Sequence, residues 1–186
     1  MGDAVMISIH PKWCEMIASE KKTVEVRKNY PRLKTPFKCY IYETKDMSYQ
    51  YRGEQWWRDD GSTYGIAHFP GKVIGEFVCD DIYAVLLHPG VFAGRNLFYE
   101  HAIDAACLTN DEVEKYSGGK DLYGWHISDL VIYDRPVPLE AFGLKIAPQS
   151  WRYVEDIKKT LGIKSPSEAW RQLDESPELV GGTRHE

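Results

Sequence analysis

An α+β fold is what the sequence predicts: one domain with a helical piece appended at its C-terminal end. Three observations lead there. Short stretches rich in β-branched and aromatic residues, alternating on a two-residue period, recur between residues 4 and 133. Between and after them lie segments with apolar residues three and four apart, two of them opened by capping boxes. A length of 186 residues suits one domain with a substantial core.

Ala4 to Ile9 is a β-branched, apolar strand, and Pro11 to Ser19 a helix whose first position suits proline because the missing N–H is not needed there. Trp13, Met16 and Ile17 form one stripe of that helix. A turn, Ser19-Glu20-Lys21, leads to the strand Thr23 to Lys28. Alternation puts Val24 and Val26 on one face of that strand and Thr23, Glu25 and Arg27 on the other, with Lys22 at its entrance. Asn29 to Pro36 carries two prolines and is expected to be extended. In the strand Phe37 to Thr44, Phe37, Cys39 and Ile41 share one face, and Lys38, Tyr40 and Tyr42 the other.

Met47 to Phe69 interleaves six aromatic residues with charges and keeps no period. It reads as an insertion over about residues 46–70, whose rings either plaster it onto the body or stack on bases. Lys72 to Ile82 is a strand in which Gly75 marks a bulge or a close approach. Tyr83 to Leu87 extends or pairs beside it, and His88-Pro89-Gly90 breaks the pattern. Leu97 to Leu108 is helical; Thr109-Asn110-Asp111-Glu112 opens another helix that stops at Ser117-Gly118-Gly119. Leu122 to Ile127 and Leu130 to Tyr133 are closing strands, after which Arg135-Pro136-Val137-Pro138 leaves the sheet. The chain turns helical from Trp151, a capping box at Ser165 to Glu168 starts a last amphipathic helix, and Ser176 to Glu186 frays.

The net charge of −5 disfavours a protein that coats nucleic acid by counterion release. Yet Glu20 to Lys38 holds seven basic and two acidic residues, a local stripe that fits a ligand with one or a few phosphates. The sequence starts without a basic, then apolar, leader and contains no spanning run, which predicts a cytoplasmic protein without membrane contact. Cys14, Cys39, Cys79 and Cys107 are widely spaced among apolar neighbours, with no zinc-ligand spacing, and read as buried free thiols; neither a metal nor another cofactor is expected.

The string Ile7-Ser8-Ile9-His10-Pro11-Lys12, a helix, and then Lys22-Thr23-Val24-Glu25-Val26-Arg27 resembles the opening of the ASCH domain, whose signature is a helix followed by Lys-x-x-Glu-x-Arg. Gly71 to Phe77 resembles that family's returning strand. Tyr123-Gly124-Trp125-His126-Ile127, Tyr133 to Leu139, Phe142-Gly143 and Pro148-Gln149-Ser150-Trp151 are similar to the closing half of prophage-type members. The resemblance spans roughly residues 4 to 155. It implies a PUA-like mixed β-barrel with a capping N-terminal helix over residues 1–150, and a C-terminal helical extension and tail over 151–186.

The expected function is binding of RNA or a modified nucleotide in a polar, aromatic-lined cleft between the first helix and the barrel. Lys22, Arg27 and Lys28 would contact phosphate, Glu25 a base edge, Tyr123 and Trp125 would stack, and Gln149 would hydrogen-bond the ligand. Pairing of Glu25 with Arg27 or a lysine is the structural alternative, as are core packing for Tyr123 and Trp125 and helix capping by Ser150. One branch of the resembled family removes acetyl groups from N4-acetylcytidine with a threonine nucleophile near a lysine. Lys22 matches the lysine, but Glu25 occupies the nucleophile's position, and Thr23 lies two residues earlier. A nucleoside amidohydrolase or ribonuclease using Lys22, Thr23 and Glu25 is therefore a second reading, and a protein-protein adaptor using exposed tryptophans a third.

Overall fold

The computed structural model describes residues 2–45, 69–86 and 97–161. The expectations for nearly all of the aromatic insertion, for the break at His88, for the helix opened at Ser165 and for the frayed tail lie outside them. The described strands are β1 (Ala4–Ile9), β2 (Val24–Arg27), β3 (Phe37–Glu43), β4 (Lys72–Cys79), β5 (Ile82–Leu86), β6 (Leu122–His126), β7 (Ser128–Pro138) and β8 (Trp151–Val154). The helices are α1 (Pro11–Ala18), α2 (Leu97–Ala105), α3 (Asn110–Ser117) and α4 (Ile157–Leu161), with a 3-10 turn at Leu139–Phe142.

Five strands form one sheet in the order β7-β4-β3-β1-β8, and three form another in the order β2-β6-β5. β1 is buried at every position, as a central strand covered on both faces must be. It runs parallel to β3 and antiparallel to β8. Val5, Ile7, Phe37, Cys39, Ile41, Phe77 and Trp125 meet between the sheets, joined by Cys14 and Ile17 of α1. Met6, Tyr40, Tyr42 and Val73 face the other side of the large sheet, toward Leu139 and Ile157. The outer face of the small sheet packs Val24, Val26 and Leu122 against Ala102, Ile103 and Val113 of α2 and α3. The period-two assignment of β3 matches these faces residue for residue.

Among the described residues the sheets do not close into the continuous barrel that the resemblance implies. The chain instead switches sheets twice within one or two residues. β4 belongs to the large sheet and β5 to the small one, with Asp80 and Asp81 between them; β6 belongs to the small sheet and β7 to the large one. Such corners join two sheets by bending strands across them, and the second bend is marked by Asp129 in the left-handed region at φ 45°.

Two strand expectations need correction. Residues 135–138 stay in the sheet, with Val73 opposite Val137 and Lys72 opposite Pro138. Two prolines are tolerated there because β7 is an edge strand, where a missing N–H breaks no ladder. Trp151 to Val154 is a strand paired with β1, not the start of a helix, so the large sheet continues past residue 150; the helix begins at Ile157. The expectation at Gly75 holds: the β4 register shifts there, and a Cβ would sit 2.5 Å from the Val131 carbonyl oxygen. The capping box also forms, Thr109 Oγ1 accepting from the Glu112 N–H while the Glu112 carboxylate accepts from the Thr109 N–H, and Gly118 ends the helix at φ 53°.

A polar latch fastens α4 to the large sheet. Buried Glu76 accepts from Lys158 Nζ and from the Tyr133 hydroxyl, each at 2.6 Å, while Asp156 accepts from the Tyr40 hydroxyl at 2.6 Å and pairs with Lys38 at 3.0 Å.

Candidate functional site

β2 is buried on both faces, which the sequence reading did not anticipate. Val24 and Val26 face the α2/α3 layer, so Glu25 and Arg27 are turned inward, between the sheets, rather than toward bulk water. Lys22 is placed by the end of α1. Glu20 adopts the left-handed conformation at φ 57° where a glycine is the usual occupant, and the Lys21 and Lys22 N–H groups both donate to the Met16 carbonyl. That turn swings the Lys22 side chain inward, to 3% exposure, beside Glu25 at 6% and Arg27 at 8%.

The three charges converge. Glu25 Oε1 lies 3.0 Å from Arg27 Nη2, and Glu25 Oε2 lies 3.3 Å from Lys22 Nζ. Each cation is also tied to backbone: Lys22 Nζ donates to the Ala106 carbonyl at 2.8 Å, and Arg27 Nη2 to the Ser8 carbonyl at 2.6 Å. Arg27 Nη1 reaches Ser150 Oγ at 3.4 Å, and Ser8 Oγ donates to the Pro148 carbonyl at 2.6 Å. Within the triplet two buried polar atoms remain without a hydrogen bond: Glu25 Oε2, whose approach to Lys22 is ionic but poorly aligned, and Arg27 Nε. A buried charged group left incompletely bonded is costly, and because solvent reaches neither atom that cost is carried inside the triplet.

Lys22, Glu25 and Arg27 line a cavity of about 230 Å³ together with Ser8, His10, Trp13, Leu108 and Tyr116. Lys22 Nζ stands 5.1 Å from the centre of the Trp13 ring, and Lys28 Nζ, exposed at the rim, 5.0 Å from that of Tyr116. Burial pushes the Tyr116 hydroxyl up, against the pull of the Arg27 charge, so it is a neutral phenol at physiological pH. The cavity is thus walled by two rings and floored by charges. Its volume is smaller than the roughly 300–1,000 Å³ of pockets that swallow a drug-sized molecule, which suits one planar polar group with the remainder of its molecule outside.

The other candidates are placed elsewhere. Trp125 is fully buried, opposite Glu25 in the β2/β6 ladder, and packs against Phe37 and Trp151, so it is core rather than a stacking surface. Tyr123, opposite Arg27, faces a separate groove. Thr23 is half-buried and lies outside the cavity lining, its backbone bonded to Ala105 and Ile127. Gln149 is exposed and also outside the lining. Ser150 precedes a strand, so it caps no helix. His126 is paired with Asp80 at 2.6 Å on the surface. Leu108 and Tyr116 carried no sequence signal as site residues, because contacts between segments so far apart in the chain leave no local period; Ser8 and His10 stood only in the family-like opening string and Trp13 only in the core stripe.

Cys14, Cys39 and Cys79 are buried, and burial pushes all three thiols up, Cys79 to about 12. Cys107, expected to be buried as well, is half-exposed. Among the described residues no group of three or more His, Cys, Asp or Glu is arranged to hold a metal, and no helix is long and apolar enough to cross a membrane.

Two sheets joined at bent corners, with a charged, ring-walled cavity beside the first helix, define the class of domain. The same fold is seen in crystal structures of ASCH from Zymomonas mobilis: TM-score 0.58 at 21% identity, over 86% of this chain and 94% of that one. Two variants of that protein, with tyrosine replaced by phenylalanine or serine by alanine, match with TM-scores of 0.59 and 0.58 at 20% identity, over 88% and 86% of this chain and 99% and 93% of theirs. No family model and no curated protein sequence matches the chain. The fold is that of the ASCH domain.

Proposed function

We propose that the cavity binds a single nucleobase, either of an RNA or of a modified nucleotide. The observation that carries this reading is the convergence of Lys22, Glu25 and Arg27 on one hollow walled by Trp13 and Tyr116. A base edge offers an acceptor beside a donor and so complements an Arg–Glu pair, while its faces suit Trp13 and Tyr116. The exposed Lys28, beside the Tyr116 ring, supplies positive charge near the mouth for a phosphate.

Hydrolysis is the less favoured reading. Thr23 does not line the cavity, and the Lys22 ammonium is already engaged by Ala106 and Glu25. Both readings enter one assay, in which tryptophan fluorescence and product formation are followed with a panel of modified nucleosides and short RNAs. Quenching without turnover, weakened at least tenfold by Glu25→Gln, is the expected result. Turnover lost in Lys22→Ala supports the hydrolase, and no response to any member of the panel overturns the nucleobase pocket.

A further inference from the structure

The open groove that Tyr123 faces shares no lining residue with the cavity. It is formed by residues 30–35 of the β2–β3 connection and by Asp81, Ile82, Tyr83 and Ala84 of the β4–β5 corner and β5. Its volume of about 670 Å³ exceeds that of the cavity. Tyr30, 50% exposed, meets the Tyr123 ring at 4.7 Å with the planes 70° apart. That edge-on contact braces Tyr30 while leaving much of its surface to solvent. Arg32 and Lys34 are exposed on the same segment, with Asp81 the one acidic residue in the lining.

The segment is held in place although it has no regular structure. The Trp151 indole N–H donates to Asn29 Oδ1 at 2.7 Å, the Arg32 N–H donates to the Tyr153 hydroxyl at 2.7 Å, and Pro31 is buried. Both anchors come from β8. The backbone that carries the cations and Tyr30 is therefore anchored, which lowers the ordering cost of binding.

Directly opposed residues of an antiparallel pair are about 5 Å apart and point to the same side. Arg27, in the cavity, and Tyr123, in the groove, are such a pair, so the two hollows are lined by neighbouring residues. We infer that the groove is a second subsite for single-stranded RNA, taking the nucleotides that flank the base held in the cavity, with Tyr30 as stacking platform and Arg32 and Lys34 on phosphates. The inference rests on the nucleobase reading above and narrows it to a strand rather than a free nucleoside. The small volume of the cavity agrees, because only part of a nucleotide fits within it.

The test compares a nucleoside monophosphate with a fluorescein-labelled RNA pentamer, by fluorescence anisotropy and direct titration, on the whole protein. The pentamer is expected to bind at least tenfold more tightly than the monophosphate. Tyr30→Ala and the double variant Arg32→Ala/Lys34→Ala should each remove most of that advantage while leaving the monophosphate affinity unchanged. The double variant should also lower the salt dependence, the slope of log K against log salt shrinking by about 1.4, or roughly 0.7 per lost phosphate contact. All three positions are solvent-exposed, so the variants should fold. Equal affinity of pentamer and monophosphate overturns the groove, as does an advantage untouched by both variants or competition by base-free polyphosphate as strong as by RNA. If neither ligand binds the unaltered protein, the nucleobase reading falls first and the groove with it.

Discussion

Arg27 is the residue on which structure and recognition depend together. Its guanidinium holds Glu25, the β1 backbone at Ser8 and the Ser150 hydroxyl at once, and its side chain lines the cavity. Arg27→Met leaves the buried Glu25 carboxylate to Lys22 alone and the Ser8 carbonyl without its donor, and a loss of roughly 3–5 kcal/mol in urea unfolding is expected, the cost of breaking a buried pair from one side. A loss below about 1 kcal/mol would mean that water already reaches Glu25, contrary to its burial. The charged triplet was legible in the sequence, because alternation alone puts Glu25 and Arg27 on one face and the resemblance flags the spacing. Their burial was not legible. A four-residue strand covered on both faces looks the same, locally, as one with a wet side. Trp125 misled for a related reason, since its alternation is equally consistent with a cleft wall and with the core between the sheets.

At the scale of elements, the turn between α1 and β2 sets where Lys22 goes. Glu20 carries it in a conformation that costs a side-chain-bearing residue about 1–2 kcal/mol, partly offset in glycine by the entropy it loses on folding. Glu20→Gly should therefore raise stability by about 0.5–1 kcal/mol and leave ligand affinity unchanged, read from the midpoint of thermal unfolding and from the titrations above. A destabilised variant would mean that the Glu20 side chain supports the turn in another way. The capping box at Thr109 and the close approach at Gly75 were readable because each is written within a few residues. β8 was misread because Trp151 to Val154 is too short to display a period and is made a strand only by β1 lying beside it.

For the whole molecule, the latch between α4 and the large sheet makes stability depend on acidity. Burial by itself would raise the Asp156 carboxyl, but hydrogen bonds from Tyr40 and Lys38 and the Lys38 charge outweigh it and hold the group below the usual 3.8. Asp80 is lowered by its hydrogen bond from His126, and Glu112 by the Thr109 N–H. Such groups bind protons more weakly folded than unfolded, so their stabilisation is complete above the unfolded-state values and drains away as pH falls through the folded ones. Denaturant midpoints should accordingly be flat near neutrality and decline below about pH 4, with a shallower decline in Asp156→Asn. An identical acid limb in that variant would remove the latch from the account. The broad α+β class is legible in the sequence, because it follows from local periods; how the sheets meet is not, since two bent corners of one or two residues decide it. The strand buried on both faces also bears on redesign. A specificity library that randomises Lys22, Glu25 and Arg27 would mostly recover unfolded clones, because those side chains brace the interior, whereas Trp13, Leu108 and Tyr116 border the same hollow from surrounding elements and are the positions at which a new ligand preference can be selected.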